Sequence, residues 1–316
     1  MTSWEQVNAE VDSAVQTFGL SGVDVVRRKK LREFSEYTRR PAILYAADMF
    51  NTGKVQAARG ETSILLGDKD GFREALNGIR GEKIDIIIQS PGGSPEATES
   101  LVKLLRSKFT DIRFIVPSVA KSAATMFAMS GNKIILGDDA ELGPTDPQIV
   151  INGIPNPAHA VLEQFNQAKK EITQNNSVLS AWMPILQQYG PSLLTVCNNA
   201  IKLSVSLVKE WLAIYMLAGE RRARSRATLI SKYLSGNKHL SHNRSINIQE
   251  LQSKGVKISF ARENDGGLAD LILAIHYSVL QTFTRTGAYK IFENHAGKGY
   301  YQLVQVIPLP PPQQQA

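Results

Sequence analysis

Short apolar runs alternate with longer amphipathic stretches over the first half of the chain. Ala42-Ile43-Leu44-Tyr45-Ala46-Ala47, directly after Pro41, has no charged position and predicts a strand covered on both faces. Runs at 62–66, 84–89, 112–117 and 133–136 predict four more strands. Helical spacing fills the gaps: 70–79 with Asp68 as a cap, a stretch opened by Ser94 or Pro95 that ends at Ser107, and 123–130. The alternation predicts an α/β fold, a parallel sheet with crossover helices.

The periodicity changes on either side. In residues 1–40, Trp4, Val7, Val11 and Val15 recur at helical spacing in a polar segment. From about residue 158 long helices take over. Leu194, Cys197, Ile201, Val205, Val208, Leu212 and Tyr215 share one face, a stripe suited to core or to an oligomer contact. Pro184 and Gly190-Pro191 break this region into pieces. A strand at 255–260 and a helix at 268–284 follow, and the end, VIPLPPPQQQA, reads as extended or disordered. The chain divides into an N-terminal helical segment (1–41), an α/β core (42–157), a helical extension (158–235), a C-terminal part of the core (236–285) and a tail (286–316).

Composition narrows the class. With 43% hydrophobic and 21% charged residues in 316, the chain has the make-up of a soluble protein. No run approaches the ~18 apolar residues of a membrane span. The first residues lack a secretory pattern, and Cys197 alone allows no intrachain disulfide. A cytoplasmic location is expected. The formal charge of +7 comes largely from Arg27-Arg28-Lys29-Lys30 with Arg39-Arg40, and from Arg221, Arg222, Arg224 and Arg226. These clusters read as solvated helix faces, with peripheral contact to an anionic membrane as the alternative. No zinc-finger spacing, RNP-like aromatic motif or Walker loop is present, so no nucleic acid, metal or cofactor is expected.

Two turns carry the candidate chemistry. Ser90-Pro91-Gly92-Gly93 lies between a buried strand and a helix, and so does Ser122-Ala123-Ala124. In a parallel sheet, loops after neighbouring strands meet at the carboxyl edge. Glycine lets a backbone N–H stand uncovered there. Gly93 and Ala123 can therefore offer two N–H donors to an oxyanion, beside a serine at a helix N-terminus. Ser122 is a nucleophile in that arrangement and a simple cap otherwise. Asp146 lies in a loop bounded by Gly143, Pro144 and Pro147, with Asp138 and Asp139 as alternatives. His242 precedes a helix whose start, Asn247 to Glu250, is spaced as a capping box, and His239 is its neighbour. His159, His276 and His295 have no selecting context.

The segments IIIQSPGG (86–93), AKSAATMFAMSG (120–131), GDDAELGPTDPQI (137–149) and SHNRSINIQELQSKGVKI (241–258) resemble the serine dehydrogenase proteinase family. That family falls within the Clp-protease and crotonase superfamily and is similar to the Clp proteolytic subunit and signal peptide peptidase A. The likeness covers roughly residues 42–150 and 236–262. It implies a crotonase or Clp-protease-like sheet with a helical extension, and a homo-oligomer acting on peptide or protein substrates. It also implies a serine endopeptidase with a triad in the order Ser122, Asp146, His242, and an oxyanion hole from Gly93 and Ala123. Lys121 stands where relatives often have a small or apolar residue. Three alternatives remain: a Ser–Lys dyad of the signal-peptide-peptidase kind using Lys169 or Lys170, a catalytically silent scaffold, and an acyl-thioester enzyme of the crotonase kind.

Overall fold

The computed structural model describes residues 2–304 apart from 237, 238 and 240, so the proline-rich run at 306–316 lies outside the described residues. Helix α1 (Trp4–Phe18) opens on a capping box between Ser3 and Gln6, and α2 (Gly22–Thr38) follows. Val7, Val11 and Ala14 of α1 bury against Val23 and Val26 of α2 and against Ala274. Trp4, the first residue of the proposed stripe, stays 41% exposed.

The core then alternates as expected. Strand β1 (Ala42–Ala47) leads through α3 (Thr52–Ala57) and α4 (Asp68–Ala75) to β2 (Lys83–Gln89). Next come α5 (Pro95–Arg106), capped by Ser94, then β3 (Asp111–Val116), β4 (Val119–Ala120), α6 (Ala123–Met129) and β5 (Lys133–Leu136). Short strand β6 (Glu141–Leu142) precedes a hairpin, β7 (Gln148–Ile151) with β8 (Ile154–Pro157). The helical extension is α7 (Ala158–Gln174), α8 (Leu179–Leu186), α9 (Leu193–Trp211) and α10 (Ala223–Leu234). The chain returns to the sheet through α11 (Ile248–Ser253), β9 (Ile258–Phe260), α12 (Ala261–Asn264) and α13 (Gly266–Arg285). It ends with β10 (Ala288–Asn294) and β11 (Gly299–Leu303).

Seven strands form one sheet in the order β11-β10-β1-β2-β3-β5-β9. The five from β1 to β9 run parallel, while β10 and β11 add an antiparallel edge. Both faces of the central strands are covered, which is why β1 and β5 show no polar alternation. Ile43, Tyr45, Ile86, Ile88, Phe114 and Val116 face α5, α6 and the extension. Leu44, Ala46, Ile87, Ile115 and Ile135 face α2 and α13. The apolar face of α9 joins this packing: Leu207, Val208 and Trp211 are in the sheet core, and Cys197 packs with Ala158 and Val161.

Four local expectations change. The run 62–66 is not a strand; it makes a single parallel bridge, Ile64 to Gly93. Side chains take its other backbone groups: Lys290 Nζ donates to Ser63 O (2.7 Å), and Leu65 N donates to Asp68 Oδ2 (3.1 Å). Asp68 is therefore not a cap but half of a buried pair with Lys290 (2.6 Å), inside the first turn of α4. Burial pushes the Asp68 carboxyl up and the Lys290 amine down, and each opposes the other's shift. Within 286–316, where no strand was expected, β10 is buried along its whole length. Its polar positions, Lys290, Glu293 and Asn294, disguise it. The cluster at 27–30 is only partly a solvated face: Arg27 is fully buried between Glu293 and Asp24 and Lys30 pairs with Glu10, while the Lys29 side chain stays 59% exposed. Among the described residues no helix is long and apolar enough to cross a membrane.

Candidate active site

At the carboxyl edge of the sheet, backbone hydrogen bonds join the proposed site segments in a row. Ile64 N donates to Gly92 O (2.6 Å), and Ser94 N to Ile64 O (2.9 Å). Ser90 N donates to Val119 O and Lys121 N to Ser90 O, both at 3.1 Å. Strand β4 pairs in parallel with β6, Gly143 N reaches Ala120 O (3.0 Å), and Ile246 N reaches Leu142 O (2.8 Å). The glycine turn, the serine turn, the aspartate loop and the histidine loop are thus neighbours.

The serine turn is conformationally unusual. Ser122 has φ 51° and ψ −121°, a combination a non-glycine residue rarely adopts. It sits at the N-cap position of α6, yet its side chain caps nothing. Its hydroxyl has no hydrogen-bond partner among the described residues. A cap would spend the oxygen on the helix; this geometry leaves it open. Gly92 packs directly beneath: a methyl there would come within 2.7 Å of Ser122 Cβ and 2.9 Å of Ala123 N. At Gly93, φ is +151°, and a methyl would fall 2.4 Å from Ile64 N and O. Both glycines are required by close backbone approach. Neither Gly93 N–H nor Ala123 N–H donates to an acceptor among the described residues.

Asp146 and His242 meet. His242 Nδ1 lies 2.9 Å from Asp146 Oδ1, although the two are 96 positions apart in the chain. Asp146 is 8% exposed, and its other oxygen accepts from Gln148 Nε2 (2.8 Å). The aspartate loop is pinned by Thr145 N to Leu234 O (2.9 Å) and by Ser204 Oγ to Thr145 O (2.7 Å), so the helical extension supports it. Asn247 caps α11 by accepting from Glu250 N (2.9 Å), which anchors the far end of the histidine loop. Ser122 and His242 are not hydrogen-bonded to each other. The imidazole instead borders a small cavity of about 70 Å³ that includes Asp146, His159, His239 and Ser241.

The other candidates have other hydrogen-bond partners, although His159 and His239 border the same small cavity. His239 bonds to Tyr233 O (2.7 Å) and His159 to Ser235 O (2.8 Å). Asp138 pairs with Arg262 at a different cavity, one that includes Asp139, His276 and Tyr277. His276 bonds to Gln89 Oε1 (2.9 Å), and His295 lies by Ala42. Lys169 and Lys170 are exposed on α7. No cluster of three potential metal ligands occurs among the described residues. Gln148 was not singled out from the sequence; a glutamine two positions after an aspartate carries no signal of its own. Lys121 Nζ donates to Glu141 Oε2 (2.7 Å) and Ser245 Oγ (3.2 Å), a role its sequence position did not suggest.

The model of one family, the ClpP-like SDH-type serine proteinases, matches residues 72–265. That stretch spans the glycine turn, Ser122, Asp146 and His242. Two uncharacterized proteins of Methanocaldococcus jannaschii are also similar. MJ0137 is 24% identical over 196 residues, covering 62% of this chain and 60% of its own length. MJ1495 is 24% identical over 176 residues, covering 56% of this chain and 52% of its own. The chain therefore spans little more than half the length of these curated relatives.

Proposed function

The chain belongs to the ClpP-like SDH-type serine proteinase family, and on that premise we propose that it cleaves peptide bonds with Ser122, His242 and Asp146. The observation that carries this reading is the Asp146–His242 bond of 2.9 Å, made in the row of segments that also contains the strained, uncapped Ser122. Asp146 fixes the imidazole with Nδ1 inward, which leaves Nε2 to serve the serine. Ser122 Oγ attacks the substrate carbonyl carbon while its proton passes to His242 Nε2. The oxyanion accepts from Gly93 N–H and Ala123 N–H. His242 then gives the proton to the leaving amine as the C–N bond breaks, and water releases the acyl group by the same route in reverse. Proton transfer and the oxyanion donors each contribute on the order of a hundredfold or more. The Ser122 to His242 contact closes when substrate binds, a common tightening of catalytic hydrogen bonds.

The test is incubation of the protein and its Ser122→Ala variant with a fluorophosphonate, with the adduct located by mass spectrometry. Labelling of Ser122 is expected in the wild type and none in the variant. A folded wild type that stays unlabelled would sink the peptidase reading and favour a catalytically silent scaffold.

A further inference from the structure

Lys121 touches every segment that carries a proposed catalytic group. Its amide donates to Ser90 O (3.1 Å), ahead of the glycine turn. It directly precedes Ser122. Its stem lies over Gly143, where a methyl would come within 2.5 Å of Lys121 Cδ, three residues before Asp146. Its ammonium donates to Ser245 Oγ (3.2 Å), three residues beyond His242, and to Glu141 Oε2 (2.7 Å). From this convergence we infer that Lys121 is a positioning residue, holding the histidine loop in place against Ser122. The inference rests on the peptidase reading above.

The physical case has three parts. First, the loop needs a tether. Ser241, Asn243, Arg244 and Ser245 are exposed, and Ile246 is the first residue of the loop buried in the core. Second, Glu141 and Ser245 lie at the surface, where an ordinary pair would contribute little, but the lysine that joins them is anchored. Only 14% of the Lys121 side chain is exposed, and its stem is packed on the backbone of the aspartate loop. Glu141 is fixed by the pairing of β6 with β4, and its carboxyl is held below the usual range by Lys121 first and Ser245 second. Third, an ammonium with three donors can serve Glu141 and Ser245 at once, which a neutral side chain of that length cannot. Lys121 Nζ donates to Glu141 and Ser245 and not to Ser122.

The experiment measures fluorophosphonate labelling of Ser122 as a maximal rate and a half-saturating concentration, in full-length protein. In Lys121→Met the maximal rate is expected to fall roughly ten- to a hundredfold with half-saturation little changed, since a shift of about 1 Å in a catalytic group costs that order. Lys121→Arg, which keeps donors and charge, restores most of the rate. Ser245→Ala is slower than wild type, and adding it to Lys121→Met causes no further loss, because the two share one contact. Equal labelling of Lys121→Met and wild type would overturn the inference, as would an arginine variant no better than methionine. If Lys121→Met melts early, Ser245→Ala decides alone, because that site is exposed, and an unchanged rate there overturns it. Wild type unlabelled at Ser122 removes the peptidase reading and this inference together, so the two failures are distinguishable.

Discussion

The serine half and the histidine half of the site are held by different means. Around Ser122 almost everything is backbone: strand ends, two glycines forced by close approach, and the first turn of a buried helix. Beneath that half lies a buried polar network in which Lys290 and Asp68 brace residues 63–65, and those residues clamp Gly92 and Ser94. Around His242 side chains carry more of the constraint: Asp146, Gln148, Asn247 and the Lys121 bridge to Ser245 act beside two backbone bonds, Ile246 N to Leu142 O and Thr145 N to Leu234 O. A donor set built from backbone is rigid and yields mainly where a substitution forces the backbone itself to move, as at the two glycines. One built from side chains can be released a contact at a time.

The largest effect should come from breaking the histidine half at its centre. Asp146→Asn keeps the shape but lets the amide present an N–H to the imidazole, which favours the wrong tautomer. Labelling of Ser122 by a fluorophosphonate is expected to fall by about 10⁴-fold, the order seen when a triad aspartate is neutralised. The melting temperature should change little, since Asp146 lies at the edge of a cavity and not in the apolar core. Retention of a tenth or more of the wild-type rate would remove Asp146 from the mechanism.

A smaller loss, about 10²- to 10³-fold, is expected for Gly93→Ala on the serine half, the typical cost of one oxyanion donor. The added methyl would meet Ile64 N and O at 2.4 Å and must turn the Gly93 peptide. The same variant should also destabilise the chain, because Ile64 is held from the other side by the network at Asp68. Thermal melting beside labelling separates the two outcomes. A fully stable and fully labelled Gly93→Ala protein would show that Gly93 N–H is not an oxyanion donor.

This contrast explains what was legible in the sequence. Strands β1, β2, β3 and β5 are short and mostly apolar, interrupted only inside β2 and β3 by the paired Asp85 and Arg113, and their loops carry glycine and serine where the backbone needs them. Gly92, next to Gly93, packs against Ser122 and Ala123. The histidine half could not be read from spacing, because 96 residues and four helices separate Asp146 from His242. A resemblance to a family chose those two residues. Strand β10 escaped for another reason: Lys290 and Glu293 are buried by partners far away in the chain, Asp68 and Arg27, and no local pattern announces them.

The smallest effect tests whether the serine half is anchored from both faces of the sheet. His276, on α13, meets Gln89 at the end of β2, one residue before Ser90. Burial lowers its pKa from 6.5 to about 4. The unfolded chain therefore binds this proton near pH 6.5, while the folded chain refuses it until about pH 4. Stability is complete above the unfolded value, falls as pH drops between the two, and levels off below the lower one. The full loss from this residue should be about 3 kcal/mol. Urea unfolding at about pH 7 and about pH 4.5 reads it, and His276→Gln, which cannot be charged, should lose less stability over the same interval. Identical pH dependence in the two proteins would show that His276 takes no part. Hydrogen exchange locates the effect: acid should loosen residues 89–94, next to Gln89, more in the wild type than in His276→Gln. The histidine half, which has its own side-chain contacts and does not touch His276, should respond alike in both.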